Sequence, residues 1–472
     1  MQHATVFREN NSWKSHFLAT LALGIPLIGA QLAQLGIHAT DVVILGRLGA
    51  AHLAAIVLAG QFFFTLFIFG SGFAAAVIPM AAQAHGRGDA VSVRRSVRMG
   101  MWVVLFYSLA VVPIFLVAEK ILLLAGQKPE VAALAHAYLQ IAHWGMAPAL
   151  LFMVLRGLVS AHGRAGIILY LTLVVLVVNA FLAYGLVLGH FGLPALGMEG
   201  AALASLIVNC LSFLLMVAYV RARPELRGYQ LFHRFWRADW PALREVVHLG
   251  LPISLTILAE VSLFTVASLL MGIIGTIELA AHGIALQLSS IAFMLPFGLA
   301  QAATVRVGVA HGRGDRVALV RAAWAALVLA TGVAAMGGVL FAVMPETLAG
   351  VYLDRSDKDS AAVLAYAVPL VIIAGIFQLV DGLQVVAAGL LRGLKDTRIP
   401  MVLALISYWP IGFACASLLA FPVGLGGIGV WYGFLSGLVA AAVLLNWRFF
   451  RLMAREVAVP RVLLETQHAP VP

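Results

Sequence analysis

Charge is what this sequence has least of. Of 472 residues, 20 are acidic and 30 basic, 11% together, against about 25% in soluble domains. So few charges cannot cover a water-facing surface, which excludes a soluble enzyme or binding module. Cysteine is nearly absent: Cys210 and Cys415 both lie in apolar stretches, so neither a disulfide framework nor a thiolate metal cluster can be built. There are five lysines, none in a glycine-rich phosphate loop, and ATP hydrolysis is excluded as an energy source. Gly424-Leu425-Gly426-Gly427-Ile428-Gly429 fits G-x-G-x-x-G in letters. It stands in an apolar hairpin and follows no strand, so no dinucleotide site is expected. His136 and His143, seven apart, are too few for a metal site and read as packing residues. Without a converging nucleophile, base or metal set, neither covalent catalysis nor a cofactor is expected.

Long hydrophobic runs fill the chain instead. Hydrophobic residues are 62%, and runs of about 20 recur twelve times, from 17–40 to 429–450, each long enough to cross ~30 Å of hydrocarbon. The expected fold is an all-α polytopic membrane protein with twelve transmembrane helices. Residues 1–16 are polar without a small-residue cleavage site, so a retained first helix is expected. With both termini cytoplasmic, 25 of the 30 Lys and Arg fall on the cytoplasmic side; Arg47, Lys120, Lys128, Arg355 and Lys358 do not. That bias sets the orientation. The net charge of +10 therefore reflects topology, and no nucleic-acid partner is expected. The densest basic stretch, 221–246, interleaves Arg221, Arg223, Arg227, Arg234, Arg237 and Arg244 with Phe232, Phe235, Trp236 and Trp240. It reads as an interfacial segment touching anionic membrane lipids.

The chain is also written twice. Gly24-Ile25-Pro26 and His85-Gly86-Arg87-Gly88-Asp89 return as Gly250-Leu251-Pro252 and His311-Gly312-Arg313-Gly314-Asp315, at a constant offset of 226. Leu155-Arg156-Gly157-Leu158 returns as Leu391-Arg392-Gly393-Leu394 after a further shift of ten. Two six-helix lobes follow, 1–220 and 247–456, joined by the connector 221–246 and trailed by a cytoplasmic tail, 457–472. An even number of spans per copy gives both the same orientation, with a pseudo-twofold axis along the membrane normal and a site between them. Prolines within spans, among them Pro26, Pro252 and Pro410, favour kinks.

Three carboxyls break the apolar pattern: Asp41, Glu260 and Asp381. A charged carboxylate at mid-bilayer costs at least ~2.5–3.5 kcal/mol, so such a group is kept where it binds a cation or a proton. The offset places them against Ala267, Gln34 and, with the shift, Gly145. The repeated residues hold the fold; the acids differ between the copies.

Leu258-Ala259-Glu260-Val261, the stretch Asp381-Gly382-Leu383-Gln384 running to Arg392-Gly393, and Ile406-Ser407-Tyr408-Trp409-Pro410 resemble the multidrug and toxic compound extrusion (MATE) family, and most of all its NorM-type bacterial branch. Asp41, opening Asp41-Val42-Val43-Ile44-Leu45-Gly46, matches that branch's first-span acid. The resemblance spans about residues 15–455. It implies two helical bundles, a central cleft, and export of organic cations and drugs across the bacterial inner membrane in exchange for protons or sodium. Asp41, Glu260 and Asp381 would carry the coupling ion, with Asn179 and Ser205 as polar ligands, and Asp381 and Glu260 would hold a metal only if sodium is that ion. Two departures favour protons. Sodium-coupled members carry a tyrosine where this chain has Phe377, and a second polar ligand after Asn179 is Ala183 here. Tyr408, Trp409 and Phe293 are candidate drug-binding rings, since a ring face attracts organic cations. A monomer is expected. The alternative is a lipid-linked oligosaccharide flippase of the same superfamily, but its cleft would need basic residues, whereas the deep charges here are acidic. A channel would need no exchanged ion.

Overall fold

In hydrocarbon every backbone polar group must be satisfied within the chain, and a helix does this segment by segment. The computed structural model describes residues 12–354 and 358–458, almost all of them helical. The first part runs through α1 (Trp13–Gly46), α2 (Ala50–Gly86), α3 (Ala90–Leu116), α4 (Ala118–Leu124), α5 (Pro129–Ala142), α6 (Met146–Ala161), α7 (Ala165–Leu188), α8 (Gly197–Ala222) and α9 (Pro224–Arg227). The second runs through α10 (Trp240–Ile274), α11 (Thr276–Arg313), α12 (Arg316–Val343), α13 (Pro345–Gly350), α14 (Ser360–Gly393), α15 (Arg398–Ile406), α16 (Ala414–Ala420) and α17 (Gly426–Ala458). Among the described residues, twelve helical stretches are long and apolar enough to cross a bilayer, the number the sequence predicts. The expected tail lies outside the described residues from 459 onward, as does Arg355.

The helices form two compact units. One takes Leu21–Val261; the other takes 12–20 and 262–458. In the first, α2 packs on α3, α5 and α6, and α8 on α5, α6 and α7. In the second, α14 is the hub, contacting α11, α12 and α17.

The repeated His-Gly-Arg-Gly-Asp motif is a helix stop and a helix start in five residues. Gly88 and Gly314 take left-handed backbone, φ +72° and +68°, a conformation that suits glycine. Asp89 N–H reaches back to Ala84 O and Asp315 N–H to Ala310 O, both at 3.0 Å, which closes the end of α2 and of α11. Each aspartate then caps the next helix: Asp89 Oδ1 accepts from Ser92 N–H, and Asp315 Oδ1 from Ala318 N–H, both at 3.0 Å. The second repeated motif is a close approach. A Cβ on Gly157 would stand 3.1 Å from Ile78, and one on Gly393 2.9 Å from Thr304 O. Ile78 and Thr304 are themselves 226 apart, so the same small-residue contact is built in both copies.

Two features belong to the second unit alone. Pro410 lacks a backbone N–H, and the span relaxes into a π-helical turn, Ser407–Phe413. There Gly412 meets Gly437 of α17, where a Cβ on Gly437 would come within 2.8 Å of Gly412 Cα. Arg306, buried in α11, donates to His16 O at 2.7 Å, to Thr20 Oγ1 at 2.5 Å and to His16 Nδ1 at 3.1 Å. This ties the first turns of α1 to the second unit and satisfies a buried guanidinium that Met80, its repeat partner, does not need.

Candidate ion and substrate sites

The first candidate lies in the unit Leu21–Val261. Asp41, near the end of α1, is buried, and so is Asn179 in α7. Asn179 Nδ2 donates to Asp41 Oδ1 at 2.8 Å. No cation pairs with Asp41 among the described residues, so an amide holds this carboxyl and no salt bridge neutralises it. Asn179 Oδ1 is buried and accepts no hydrogen bond among them. Tyr138 of α5 is within electrostatic reach of Asp41, and its hydroxyl stands 3.4 Å from Ser205 Oγ of α8, a long contact. Ala183, one turn beyond Asn179, is buried and contributes no oxygen.

Four helices thus bring Asp41, Asn179, Ser205 and Tyr138 into one neighbourhood. The sequence singles out Asp41 as an acid within an apolar run, and the family resemblance adds Asn179 and Ser205. Tyr138 escapes notice because its ring suits such a run and only the tip is polar. Glu260, half-buried in α10, belongs to the same unit.

The second candidate lies on α14. Phe377, Gln378, Asp381 and Gln384 are all buried, on neighbouring positions of one helix face. Gln378 Nε2 donates to Ser289 O of α11 at 2.9 Å, and Gln384 Nε2 to the Tyr408 hydroxyl at 2.6 Å. Gln384 Oε1 has no partner among the described residues. Phe377 makes edge contacts with Phe264 and Trp431, at 6.1 and 5.7 Å between ring centres. Beside it, Trp431 Nε1–H donates to His282 Nδ1 at 3.1 Å, and His282 Nε2 lies 3.2 Å from Ser268 Oγ. Nδ1 therefore accepts, and the ring proton belongs on Nε2.

Sequence reasoning quotes Gln384 inside the Asp381 motif without assigning it a role, and misses the Trp431–His282–Ser268 chain. Gln384 carries a signal in retrospect, a long polar amide amid apolar neighbours. The chain of three has none, because its members come from α10, α11 and α17. Of the candidate rings, Tyr408 is fully buried, its ring covered by protein. Trp409 is half-buried against Phe413 at 5.7 Å, and Phe293 stacks on Phe297 at 5.5 Å.

Comparison with known proteins gives one consistent result. The family model described as MatE matches residues 26–185 and 252–418. The "Probable multidrug resistance protein NorM" of Rhizobium meliloti (strain 1021) is 65% identical over 453 residues, covering 96% of this chain and 97% of the relative. The protein of the same name from Agrobacterium fabrum (strain C58) is 65% identical over 457 residues, covering 97% and 98%. Among solved structures, the outward-facing conformation of a multidrug resistance MATE family transporter superposes with a TM-score of 0.86 at 17% identity, covering 97% and 99%. The eukaryotic MATE transporter AtDTX14 superposes with a TM-score of 0.82 at 22% identity, covering 93% and 98%.

Proposed function

From the premise that the chain belongs to the MatE family, we propose that it is a multidrug efflux antiporter of the bacterial inner membrane. It exports lipophilic and cationic compounds, with both termini cytoplasmic. Its two six-helix lobes, 1–220 and 247–456, alternate access, and the protein works as a monomer. Protons drive the cycle, bound at Asp41, at Glu260 and at Asp381. An ion can do this only by binding one conformation better than the other. Inverting a 1:99 population to 99:1 takes about 10⁴-fold preference, or ~5.5 kcal/mol.

The Asp41–Asn179 pair carries the reading. A carboxylate accepts the Asn179 N–H. A protonated carboxyl has an O–H to give, and the same amide, turned by 180°, offers it an oxygen. One neutral partner therefore serves both protonation states, whereas a lysine or arginine would hold the ionised form. A sodium ion needs several oxygens at once, and Ala183 and Phe377 supply none. Of the rings, Trp409 and Phe293 are half-buried and left partly open to stack on an organic cation, whereas Tyr408 is fully buried and held by Gln384.

The test is resistance in cells expressing Asp41→Asn or Asp381→Asn at normal protein levels. Each is expected to be as drug-sensitive as cells without the transporter. Full resistance in either removes that residue from the cycle.

A further inference from the structure

The arginine-rich connector does more than decorate a loop. Residues 230–239 fold onto the first turns of α3 and form with them a half-open pocket of about 670 Å³. Five arginines line it, Arg94, Arg95, Arg98, Arg234 and Arg237, with Asp239 the one acidic side chain. Two of the five build the walls. Arg98 donates to Leu231 O at 3.2 Å, Gln230 O at 3.3 Å and His233 O at 2.6 Å. Arg95 grips Asp239 through Nε and through Nη2, the latter at 2.9 Å. Arg94, Arg234 and Arg237 have no hydrogen bond or ion pair to protein among the described residues. Arg234 is held in left-handed backbone, φ +51°, which a side chain other than glycine adopts at a cost. Three arginines without a protein partner line this one pocket, and like charges gathered there favour an anion between them. Their planar forks match the oxygens of a phosphate.

The surface leading out of the cavity says what the phosphate is attached to. One face of α3 reads Arg95, Arg98, Trp102, Phe106, Leu109, a helical stripe of spacing three and four. It begins cationic, passes through an indole whose N–H donates to Phe235 O at 3.1 Å, and ends in Phe106 and Leu109, 56% and 65% exposed. From Arg98 to Leu109 the helix rises ~16 Å, about the depth of one leaflet of hydrocarbon. Trp236, 75% exposed beside the cavity, suits the headgroup level.

We propose that this pocket is a binding site for an anionic phospholipid, whose phosphate is held by Arg94, Arg234 and Arg237 and whose acyl chains lie along α3. The proposal depends on α3 spanning the membrane and not on what the protein transports. The bound lipid would fasten the connector to α3 and give the protein a preference for anionic membranes.

Full-length protein purified in detergent is titrated with dioleoyl phosphatidylglycerol, dioleoyl phosphatidylcholine or inorganic phosphate. Lipid retention by native mass spectrometry and the midpoint of thermal unfolding are read. Phosphatidylglycerol is expected to bind about a hundredfold more tightly than phosphatidylcholine, since each of the three basic residues contributes about a factor of five. The triple variant Arg94→Gln, Arg234→Gln, Arg237→Gln should erase that preference, and lysine at the three positions should restore most of it. Arg223→Gln, Arg227→Gln and Arg244→Gln together, outside the cavity, should leave it intact. Equal affinity for the two lipids in the unaltered protein overturns the proposal, and this arm stands even if the triple variant fails to fold. A folded triple variant that keeps the preference also overturns it. Protection by inorganic phosphate equal to that by phosphatidylglycerol would assign the pocket to a soluble phosphate and overturn the lipid reading.

Discussion

Asn179 donates to Asp41 at 2.8 Å, and among the described residues it is the only side chain that does. Hydrogen bonds to charged groups contribute about 1.5–3 kcal/mol. Asn179→Ala is therefore expected to reduce coupled export by about ten- to a hundredfold with little change in expression. Ethidium efflux from cells with matched protein levels measures this; export at the unaltered rate would detach Asn179 from the ion site.

Trp431→Phe keeps a large ring and removes the donor to His282 Nδ1. The buried acceptor left behind costs about 1–3 kcal/mol, seen as a lower unfolding midpoint of the purified protein. Adding His282→Leu should recover part of the loss, because removing both partners is milder than orphaning one. A double variant less stable than the single would contradict this account of the pair.

Asp239 sits outside the spans, just before α10. The Arg95 hydrogen bonds hold its carboxyl below the usual carboxylate range, helped by Ala242 N–H at 3.2 Å. A depressed folded value means that the stabilisation is complete above the unfolded value of about 3.9. It is lost as pH falls through the folded value. Amide exchange over 230–239, corrected for intrinsic rates, should be slower at pH 7 than at pH 3. Asp239→Asn at pH 7 should show the acid behaviour. The pair is partly exposed, so the change should be about fivefold or less.

Gly88→Ala and Gly314→Ala each force an L side chain into left-handed backbone, at about 1–2 kcal/mol. Because the two turns are built alike, the two losses should agree within ~0.5 kcal/mol in denaturant unfolding of the purified protein. A large difference would mean that the repeated motif does different work in the two copies.

The legible part of this protein is what the bilayer imposes. Twelve spans could be read because each is a run of about 20 apolar residues, and Asp41 stood out against such a run, whereas Asn179 was reached only through the family resemblance. The His-Gly-Arg-Gly-Asp repeat was visible as letters, but its meaning, a left-handed stop followed by an aspartate cap, needed backbone geometry. Arg306 with His16 and Thr20, and Trp431 with His282, join residues far apart in sequence, which no local pattern encodes. The connector showed its arginines and aromatics. That Arg98 would fold it onto α3 by three backbone carbonyls was not readable, since any helix-facing arginine has the same letter.

The central claim is that protons alone drive export, and purified protein in liposomes tests it most directly. Ethidium transport is followed under an imposed proton gradient without sodium, then under a sodium gradient without a proton gradient. The account predicts transport in the first case and little in the second. Phe377→Tyr, which places a hydroxyl one turn from Asp381, should raise the sodium response. Transport that is absent without sodium and saturates with it in the unaltered protein would contradict the account.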